Sequence, residues 1–479
     1  MRRHRHNLNH YRLVACDMGQ LVPVSCVEVL MGDTFRHASS ALIRFSPLAT
    51  PVMHPVHAKI HHWFVPHRLV WPDFEQFITG ADDTLSPPQV TVPDPGGDLL
   101  DHLGVDPAAN GLQVNSLPVR AYNLIWNEIY RDQDLDAEVA LDSLVLQRAR
   151  WEKDYFTVAR TTPQQGPDIS IPFEAGGAPV TGIGFGTGYV SNLNNAAARE
   201  TDGSSTVTYV DGSSSSGTQI FVEEDPNNAG YPNVRVDLSQ ATGSISVRDL
   251  WLSEALQRFA EYRSRYGERY TDYARFHGVT PSDARLQRPE YLGGGKQTIS
   301  FSEVLATAES TGVPVGALKG HGISAVRTRP YRRFFSEHGY VISLMSLRPR
   351  AVYEQSVNKT FLRRTKEDFW QRELENIGQE PVLAQELYAS EADPEAVFGW
   401  NDRYQSYRQQ PSFVSGAFRT SPYDNWHLAR GFGSTPSLNA SFVECTPPNR
   451  IFADTNDPEL LVMMQHMITA QRLVTRSPR

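Results

Sequence analysis

Cysteine is scarce in this sequence of 479 residues. The three cysteines, Cys16, Cys26 and Cys445, are odd in number and form no CxxC pair. This pattern argues against both a disulfide framework and a cysteine-based zinc cluster. We therefore expect ordinary half-buried core thiols in a protein that matures in a reducing compartment.

Long apolar runs are also missing. No stretch approaches the roughly 18 apolar residues of a transmembrane helix, which excludes a membrane-spanning protein. The first residues, MRRHRHNLNHYR, are basic but lack an apolar segment, so they do not form a secretory signal. Hydrophobic residues still make up 40% of the chain, which supplies a core and excludes wholesale disorder. The length alone suggests about three domains.

The formal net charge of −9 hides a segregation of charge along the chain. Residues 319–366 contain eleven Lys or Arg and two acids, whereas residues 367–402 contain ten acids and one arginine. The first twelve residues add four arginines and three histidines without an acid. Such segregation is typical of a shell element or a nucleic-acid binder with one face toward phosphate. The alternative is that these charges scatter over different faces of the folded chain.

The first eighty residues have the two-residue alternation of β-strands. Strands are predicted at 20–30, 35–45 and 56–65, separated by short turns. Helical spacing follows at 119–130, just after Pro118, and at 246–267, from a capping-box-like Ser246 to Gly267. A third helix is predicted at 365–377. Because these helices interrupt strands singly, the pattern favours an antiparallel sandwich or barrel over a doubly wound parallel sheet.

Residues 176–243 differ from the rest of the chain. They are rich in Gly, Ser, Thr and Asn and have almost no bulky apolar spacing, so they cannot form a core of their own. Short β-like pieces at 207–210 and 219–222 predict a hairpin with a Gly/Ser tip. A flexible linker between two domains is the alternative.

Signatures of catalysis and of metal or nucleotide binding are weak. The stretch Gly293 to Lys296 lacks the residues that a phosphate-binding loop requires on either side, and a glycine-rich turn is expected instead. A calcium loop that begins at Asp132 lacks its glycine and its terminal glutamate. Five nearby histidines suggest a metal, but in a strand His57 and His61 would lie about 13 Å apart, so half-buried histidines are predicted. The five are His54, His57, His61, His62 and His67. We predict no catalytic, cofactor or metal site.

Several motifs, in a fixed order, bring a resemblance to a known family. They include Gly32-Asp-Thr-Phe35, Trp63-Phe-Val-Pro-His-Arg-Leu-Val-Trp71, Arg120-Ala-Tyr-Asn-Leu-Ile-Trp-Asn-Glu128, Pro163-Gln-Gln-Gly-Pro167, Asp283-Ala-Arg-Leu-Gln-Arg-Pro-Glu-Tyr-Leu-Gly-Gly-Gly295 and Trp426-His-Leu-Ala429. In these the chain resembles the major capsid proteins of Microviridae, the tailless single-stranded DNA phages, and most of all their gokushovirus-like branch. The motifs span nearly the whole sequence, apart from residues 176–243.

The resemblance implies a mainly β fold: an eight-stranded antiparallel jelly roll of the viral capsid type with long, partly helical insertions between strands. It implies a basic N-terminal arm at 1–19 and a single jelly-roll domain at 20–479, which replaces the three domains suggested by length. The insertions are expected at 67–155 (helical), 160–332 (large, with an exposed Gly/Ser-rich tip at 176–243) and 349–430 (helix and loop). Residues 458–474 read locally as a helix beginning at Pro458, whereas the family favours a closing strand, and both readings stay open.

The implied function is structural. Sixty copies would build a T=1 icosahedral shell around circular single-stranded DNA, assembled in the bacterial host cytoplasm together with internal scaffolding, pilot and small DNA-binding proteins. One alternative is a β-sandwich carbohydrate-active enzyme, which would need a close pair of carboxylates in a cleft. Another is a capsid protein whose insertion also binds a receptor on the host surface.

Two groups of residues are predicted to carry this function. The predicted phosphate-contacting residues, chosen from the two basic segments, are Arg2, Arg3, Arg5, Arg12, Arg327, Arg329, Arg332 and Arg333. The neighbouring Tyr331, Phe334 and Phe335 either stack on unpaired bases or are buried in the sheet. The predicted tip of a surface protrusion comprises Gly203, Ser204, Ser205, Gly212, Ser213, Ser214 and Gly217.

Overall fold

The fold is taken from a computed structural model of the chain. It describes residues 3–94, 98–163, 247–267, 269–305 except 284 and 286, 316, and 318–475 except 376–377. The chain divides into two compact units, Met1–Gln164 with Gly267–Arg479, and Gln165–Tyr266. The predicted hairpin and protrusion tip within 176–243 lie outside the described residues.

The described part of the first unit consists mainly of antiparallel β-strands. They are β1 (His4–Asn7), β2 (His10–Cys16), β3 (Val22–Val29), β4 (Thr34–Phe45), β5 (Val56–Pro66), β6 (Gln89–Thr91), β7 (Gln113–Asn115), β8 (Glu290–Thr298), β9 (Ser300–Leu305), β10 (Leu318–Arg327), β11 (Tyr331–Phe334), β12 (Gly339–Pro349), β13 (Gln379–Leu383), β14 (Val397–Asp402) and β15 (Leu460–Arg472). The predicted mainly β fold is confirmed.

The helices lie between strands, and most of them are short. They are α1 (His67–Val70), α2 (Phe74–Thr79), α3 (Asp98–Leu103), α4 (Leu117–Ile125), α5 (Val247–Tyr266), α6 (Tyr270–Phe276), α7 (Ala384–Leu387), α8 (Gln405–Arg408) and α9 (Ala440–Val443). A π-helical turn, Trp126–Tyr130, continues α4, and Pro118 occupies its first turn, as predicted. In the second unit, α5 ends next to Gly267, as its sequence predicts. Within the described residues, no helix combines the length and apolar character needed to cross a bilayer.

Two sheets face each other across the main core. The larger sheet has the order β1-β15-β4-β10-β9, with β2 also paired to β15 and β11 also paired to β4. The smaller sheet has the order β3-β12-β5-β8. The core between them contains Ile43 of β4, Met464 of β15, Ile60 of β5 and Met345 of β12, all fully buried. In β4, β5 and β15 these residues alternate with exposed or half-buried ones, because a strand places successive side chains on opposite faces.

The helical segment after β5 covers the smaller sheet. Leu100 of α3 and Ile125 of α4 belong to one apolar cluster with Trp63 and Ile342 of that sheet. The hydroxyl of Tyr122 donates to the carbonyl oxygen of Leu21 at 2.8 Å, which satisfies the polar end of a buried ring. This face of the smaller sheet is therefore closed by the chain's own helices.

Within residues 458–474 the chain forms strand β15 (Leu460–Arg472), so the helical reading of this segment is wrong. Its burial alternates from Leu460 onward with a period of two residues, and it pairs with β4 over twelve positions, from Leu460 opposite Phe45 to Gln471 opposite Thr34. The segment is a strand despite its helical pattern because it lies between β2 and β4, where pairing on both sides provides hydrogen-bond partners for its backbone N–H and C=O groups.

The helix predicted at 365–377 is also absent from the described part of that segment. The chain makes two 3₁₀ turns, Lys366–Asp368 and Arg372–Leu374, with the extended residues Phe369 and Gln371 between them. Phe369 and Trp370 are adjacent rather than three or four positions apart, so a helix here could not bury both on one face.

The glycine-rich turn predicted at 293–296 is instead part of strand β8. Gly294 lies beside β5 so closely that an added Cβ atom would come within 2.2 Å of the carbonyl oxygen of Ile60. The glycines therefore serve strand pairing. The three cysteines are free thiols: Cys16 and Cys445 are buried in the core, deeper than the half-buried positions expected, and Cys26 is half-buried.

Candidate nucleic-acid interface

The larger sheet has one face toward the core and one face away from it. We call the second one the outward face. It carries the residues of β1, β2, β4, β9, β10, β11 and β15 that alternate with buried ones, such as Leu42 and Arg44 on either side of buried Ile43. The helices of residues 67–155 pack on the smaller sheet, so they do not cover the outward face.

Six exposed arginines lie on the outward face. They are Arg3, Arg5, Arg36, Arg44, Arg327 and Arg332. Arg332 lies directly opposite Arg36, Arg327 opposite Ser40, and Arg5 opposite Gln471. Among the described strands of this sheet, no outward position carries an acid. The face therefore has a positive field, and like charges directly opposite each other, as in Arg36 and Arg332, favour an anion between them.

The predicted phosphate-contacting arginines divide into two groups. Arg3, Arg5, Arg327 and Arg332 come together on the outward face. Arg3 reaches it by donating to the Thr34 hydroxyl at 3.2 Å, and its guanidinium lies 5.4 Å from the ring centre of Phe334. Arg2 lies outside the described residues.

The other three predicted arginines do not belong to this face. Arg12 has the phase of the buried residues, opposite Met464, and burial lowers the pKa of its guanidinium. Arg333 also has the inward phase and forms an ion pair with Glu290. Arg329 is exposed in the connection between β10 and β11. In this segment, strand phase decides which charges share a surface.

Arg36 and Arg44 complete the face, and the sequence reasoning missed them. Both lie in the predicted strand 35–45, at positions that alternate with buried Phe35, Ile43 and Phe45. That alternation was the signal that could have found them.

Of the three aromatics considered for base stacking, Phe335 is buried and the Tyr331 hydroxyl points inward to His37, while Phe334 is 53% exposed.

An apolar groove of about 480 Å³ adjoins the arginines on the same face. Leu13, Leu42, Arg44, Leu461 and Met463 are among the residues that line it. Tyr11 and Leu13, on β2, are 68% and 80% exposed. The outward face thus combines guanidinium groups with apolar and aromatic surface, which is the combination that binds single-stranded nucleic acid without sequence preference.

The histidines that suggested a metal serve other roles. His62 belongs to a histidine cluster between the two sheets, which we define as half-buried His10 with buried His37, His62 and His466. Its ring centre lies 4.5 Å from that of His37, and the His37 and His466 ring nitrogens are hydrogen-bonded at 3.2 Å. Burial lowers the pKa of His37 to about 2 and those of His62 and His466 to about 3.

The remaining histidines of the predicted group lie apart. His61 is hydrogen-bonded to the Tyr130 hydroxyl at 2.6 Å, His54 to the carbonyl oxygen of Arg350, and His57 to the Thr298 hydroxyl. His67 is buried. No group of His, Cys, Asp or Glu in the described part of the chain could hold a metal ion. In the incomplete calcium loop, Asp132 instead pairs with Lys153.

Comparison with known proteins matches the family "Capsid protein (F protein)" to residues 1–478. The capsid protein VP1 of Chlamydia phage 1 is 31% identical, over 96% of this chain and 92% of the relative. Capsid protein VP1 of Bdellovibrio phage phiMH2K is 32% identical, over 89% and 85%, and that of Spiroplasma virus 4 is 28% identical, over 95% and 91%. The arginine-rich face, the β-sandwich and a family match over nearly the whole sequence agree, and the chain belongs to the capsid protein (F protein) family of phages.

Proposed function

We propose that sixty copies of this major capsid protein form a T=1 shell around circular single-stranded DNA, with the outward face of the larger sheet toward the genome. The observation that carries this orientation is the set of six arginines without an outward acid on the described strands. Arginine binds phosphate oxygens with a planar fork, and release of counterions makes such binding independent of sequence.

The strand order supports an eight-stranded jelly roll within this chain. β2, β15, β4 and β10 are consecutive neighbours in the larger sheet, and β3, β12, β5 and β8 are consecutive neighbours in the smaller one. In chain order these eight strands pass between the two sheets, as the two Greek keys of a viral jelly roll require. The remaining strands and the helices then belong to insertions and edges, and β1 and β2 place part of the basic segment 1–19 in the sheet.

Replacing the arginines tests the orientation of the shell protein. The variant combines Arg36→Gln, Arg44→Gln, Arg327→Gln and Arg332→Gln. A matched control removes the same number of charges at four exposed arginines outside the strands of this sheet, with Arg258→Gln, Arg275→Gln, Arg285→Gln and Arg419→Gln. We expect particles of the fourfold variant to package much less DNA per particle than the control. For unassembled subunits, the slope of log affinity for oligothymidylate against log salt should fall by about 3, because each phosphate contact on a single strand contributes about 0.7. Unchanged packaging and an unchanged slope would contradict the assignment.

The Gly/Ser-rich segment 176–243 is proposed to lie outside the shell as the tip of a protrusion, where it could contact the host surface. Its composition supports this place, because a segment poor in large apolar side chains gains little from burial. Its acids, including Asp202, Asp211 and Glu223, would repel phosphate inside the shell. Limited proteolysis of intact particles should cut within 200–217 before any other site while the shell stays assembled. Protection there until the particle falls apart would refute the placement.

Assembly in the bacterial cytoplasm, with scaffolding, pilot and small DNA-binding proteins as partners, completes the proposal. Expression of the chain alone in bacteria, followed by negative-stain microscopy of the lysate, tests how much of assembly this chain performs by itself. Uniform isometric particles would show that the subunit carries its own assembly information.

A further inference from the structure

A loop far along the chain presents large aromatic side chains to solvent. We call residues 358–375 the aromatic loop. Phe361 is 81% exposed, and Phe369 and Trp370 are each 52% exposed. Groups of exposed large apolar side chains mark contact sites on protein surfaces.

The aromatic loop is held in one conformation by specific hydrogen bonds. The carboxylate of Asp368 accepts from the backbone N–H groups of Arg364 and Thr365, at 2.8 and 2.7 Å. The hydroxyl of buried Tyr404 accepts from the Gln371 N–H at 3.1 Å and donates to the carbonyl oxygen of Glu367 at 3.2 Å. The exposed rings are therefore pre-organised, which reduces the entropy lost when they are buried by a partner.

Arg363 joins the rings to a neighbouring helix. Its guanidinium lies 4.0 Å from the ring centre of Tyr407 and 5.8 Å from that of Phe369, and Tyr407 is 50% exposed. Aromatic residues and arginine are the residue types that dominate the energy of protein–protein contacts.

The charge of the aromatic loop changes sign halfway along it. Residues 358–366 carry four basic side chains and no acid, and residues 367–375 carry four acids and one arginine. Several of these charges pair within the chain: Lys359 with Glu386, Lys366 with Glu367, and Glu375 with Arg408. Arg364 in the first half and Glu373 in the second are exposed. A nearly balanced loop is a poor ligand for DNA. In a contact around a two-fold axis, however, each surface meets a copy of itself, so Arg364 of one loop would face Glu373 of the other.

We propose that the aromatic loop forms a two-fold contact between two copies of this chain. The contact buries the exposed rings of Phe361, Phe369 and Trp370 of both copies, and the opposite charges of Arg364 and Glu373 set the register. The proposal rests on the proposed shell, because it assigns one of the contacts that a closed shell requires.

Charge reversal in each half tests the two-fold arrangement. The basic reversal is Arg364→Glu and the acidic reversal is Glu373→Lys, two exposed residues chosen because Lys366 and Glu367 pair with each other within one loop. Either reversal alone places like charges in contact and should lower the yield of shells at least tenfold, whereas both reversals in one chain restore opposite charges and should restore the yield. Failure of the combined variant to assemble better than each single reversal would overturn the two-fold register.

Removal of the aromatic side chains tests the contact itself. Phe361→Ser with Trp370→Ser should weaken the contact between copies by roughly thirtyfold or more, the effect of losing one strong interface residue. Leu112→Ser, at a residue that is 52% exposed elsewhere, is the control and should leave assembly unchanged. Circular dichroism and thermal unfolding of unassembled subunits should be the same for all three proteins, since the replaced side chains are exposed.

The outcomes separate the two proposals. If the wild-type chain forms no shells but forms dimers that Phe361→Ser with Trp370→Ser abolishes, the shell proposal fails and the two-fold contact stands. If the wild-type chain forms shells and the aromatic variant forms them equally well, the contact is refuted and the shell stands. An equal loss in the Leu112→Ser control would also refute the assignment, because the effect would then not belong to the loop.

Discussion

The histidine cluster predicts that acid weakens the sandwich. His10, His37 and His466 belong to the larger sheet and His62 to the smaller one, so the cluster spans the space between them. Their polar contacts are neutral: Ser39, Thr328 and Tyr331 from the larger sheet side and Ser25 and Ser343 from the smaller sheet. The charged group that acts on His466 is Arg12, and it lowers the pKa further. No carboxylate is among the groups that shift these pKa values.

The direction in which pH changes the stability follows from the pKa of each imidazole in the unfolded chain and in the fold. In the unfolded chain a histidine takes up a proton near pH 6.5, whereas in the fold His37 remains neutral down to about pH 2, and His62 and His466 down to about pH 3. The stability is therefore fully present above pH 6.5 and is lost as the pH falls from 6.5 toward 3. At pH 5 each group costs about 2 kcal/mol, or about 6 kcal/mol for the three, which is comparable with the whole stability of many domains.

Urea unfolding of unassembled subunits between pH 7 and pH 5, followed by tryptophan fluorescence, measures this loss. Below pH 6 each of the three histidines should contribute a slope of about 1.4 kcal/mol per pH unit. His62→Gln, whose amide can still bond to Ser343, should reduce the slope by that amount. His277→Gln, at an exposed histidine of the α6 end, should keep the wild-type slope. The reasoning is refuted if His62→Gln and the wild-type chain lose stability in parallel.

Two other changes test single residues of the frame. Burial and the neighbouring Asp17 raise the pKa of Glu459 to about 7. The charged carboxylate therefore destabilises the fold at high pH. Glu459→Gln should raise the free energy of unfolding by about 2 kcal/mol at pH 8 but not at pH 5. An equal change at both pH values would contradict this. Gly294→Ala should lower the free energy of unfolding in urea by more than about 2 kcal/mol, because the added Cβ would lie 2.2 Å from the Ile60 carbonyl oxygen. The control is Gly433→Ala, which should be neutral because its Cβ would have no atom within 4 Å. Equal stability of the two variants would show that β5 and β8 separate at little cost.

The spacing of apolar residues within a short segment was enough to predict several strands and one helix. The strands at 35–45 and 56–65 show a two-residue period that one buried face requires, and α4 shows apolar spacing and a proline in its first turn. The same reasoning did not identify β15, because Pro458 and the apolar run after it fit a helix as well as a strand. Only the pairing of this segment with β2 and β4 decides between helix and strand. The same holds for the arginines: Arg333 and Arg332 are neighbours in sequence, but only the sheet shows that they point to opposite faces.

The resemblance to a family supplied what local pattern could not. It indicated a closing strand at the C-terminal end, where β15 lies. It did not indicate Arg36 and Arg44, because those residues acquire a common surface with Arg332 and Arg327 only through the pairing of β4 with β10 and β11. The candidate interface is therefore a property of strand register.

The position of β15 has a consequence for how the polypeptide folds as it is made. His466 of β15 contacts Val24 across 442 positions of the sequence, and β15 lies between β2 and β4. During synthesis β2 and β4 leave the ribosome early and present unpaired strand edges until the segment around 460–472 arrives. Such long-range pairing makes folding slow and leaves the nascent chain open to association through those edges. Completion of the arginine-bearing sheet is thus among the latest events in the life of the nascent chain, and a ribosome stalled before residue 460 holds a sheet with its centre missing.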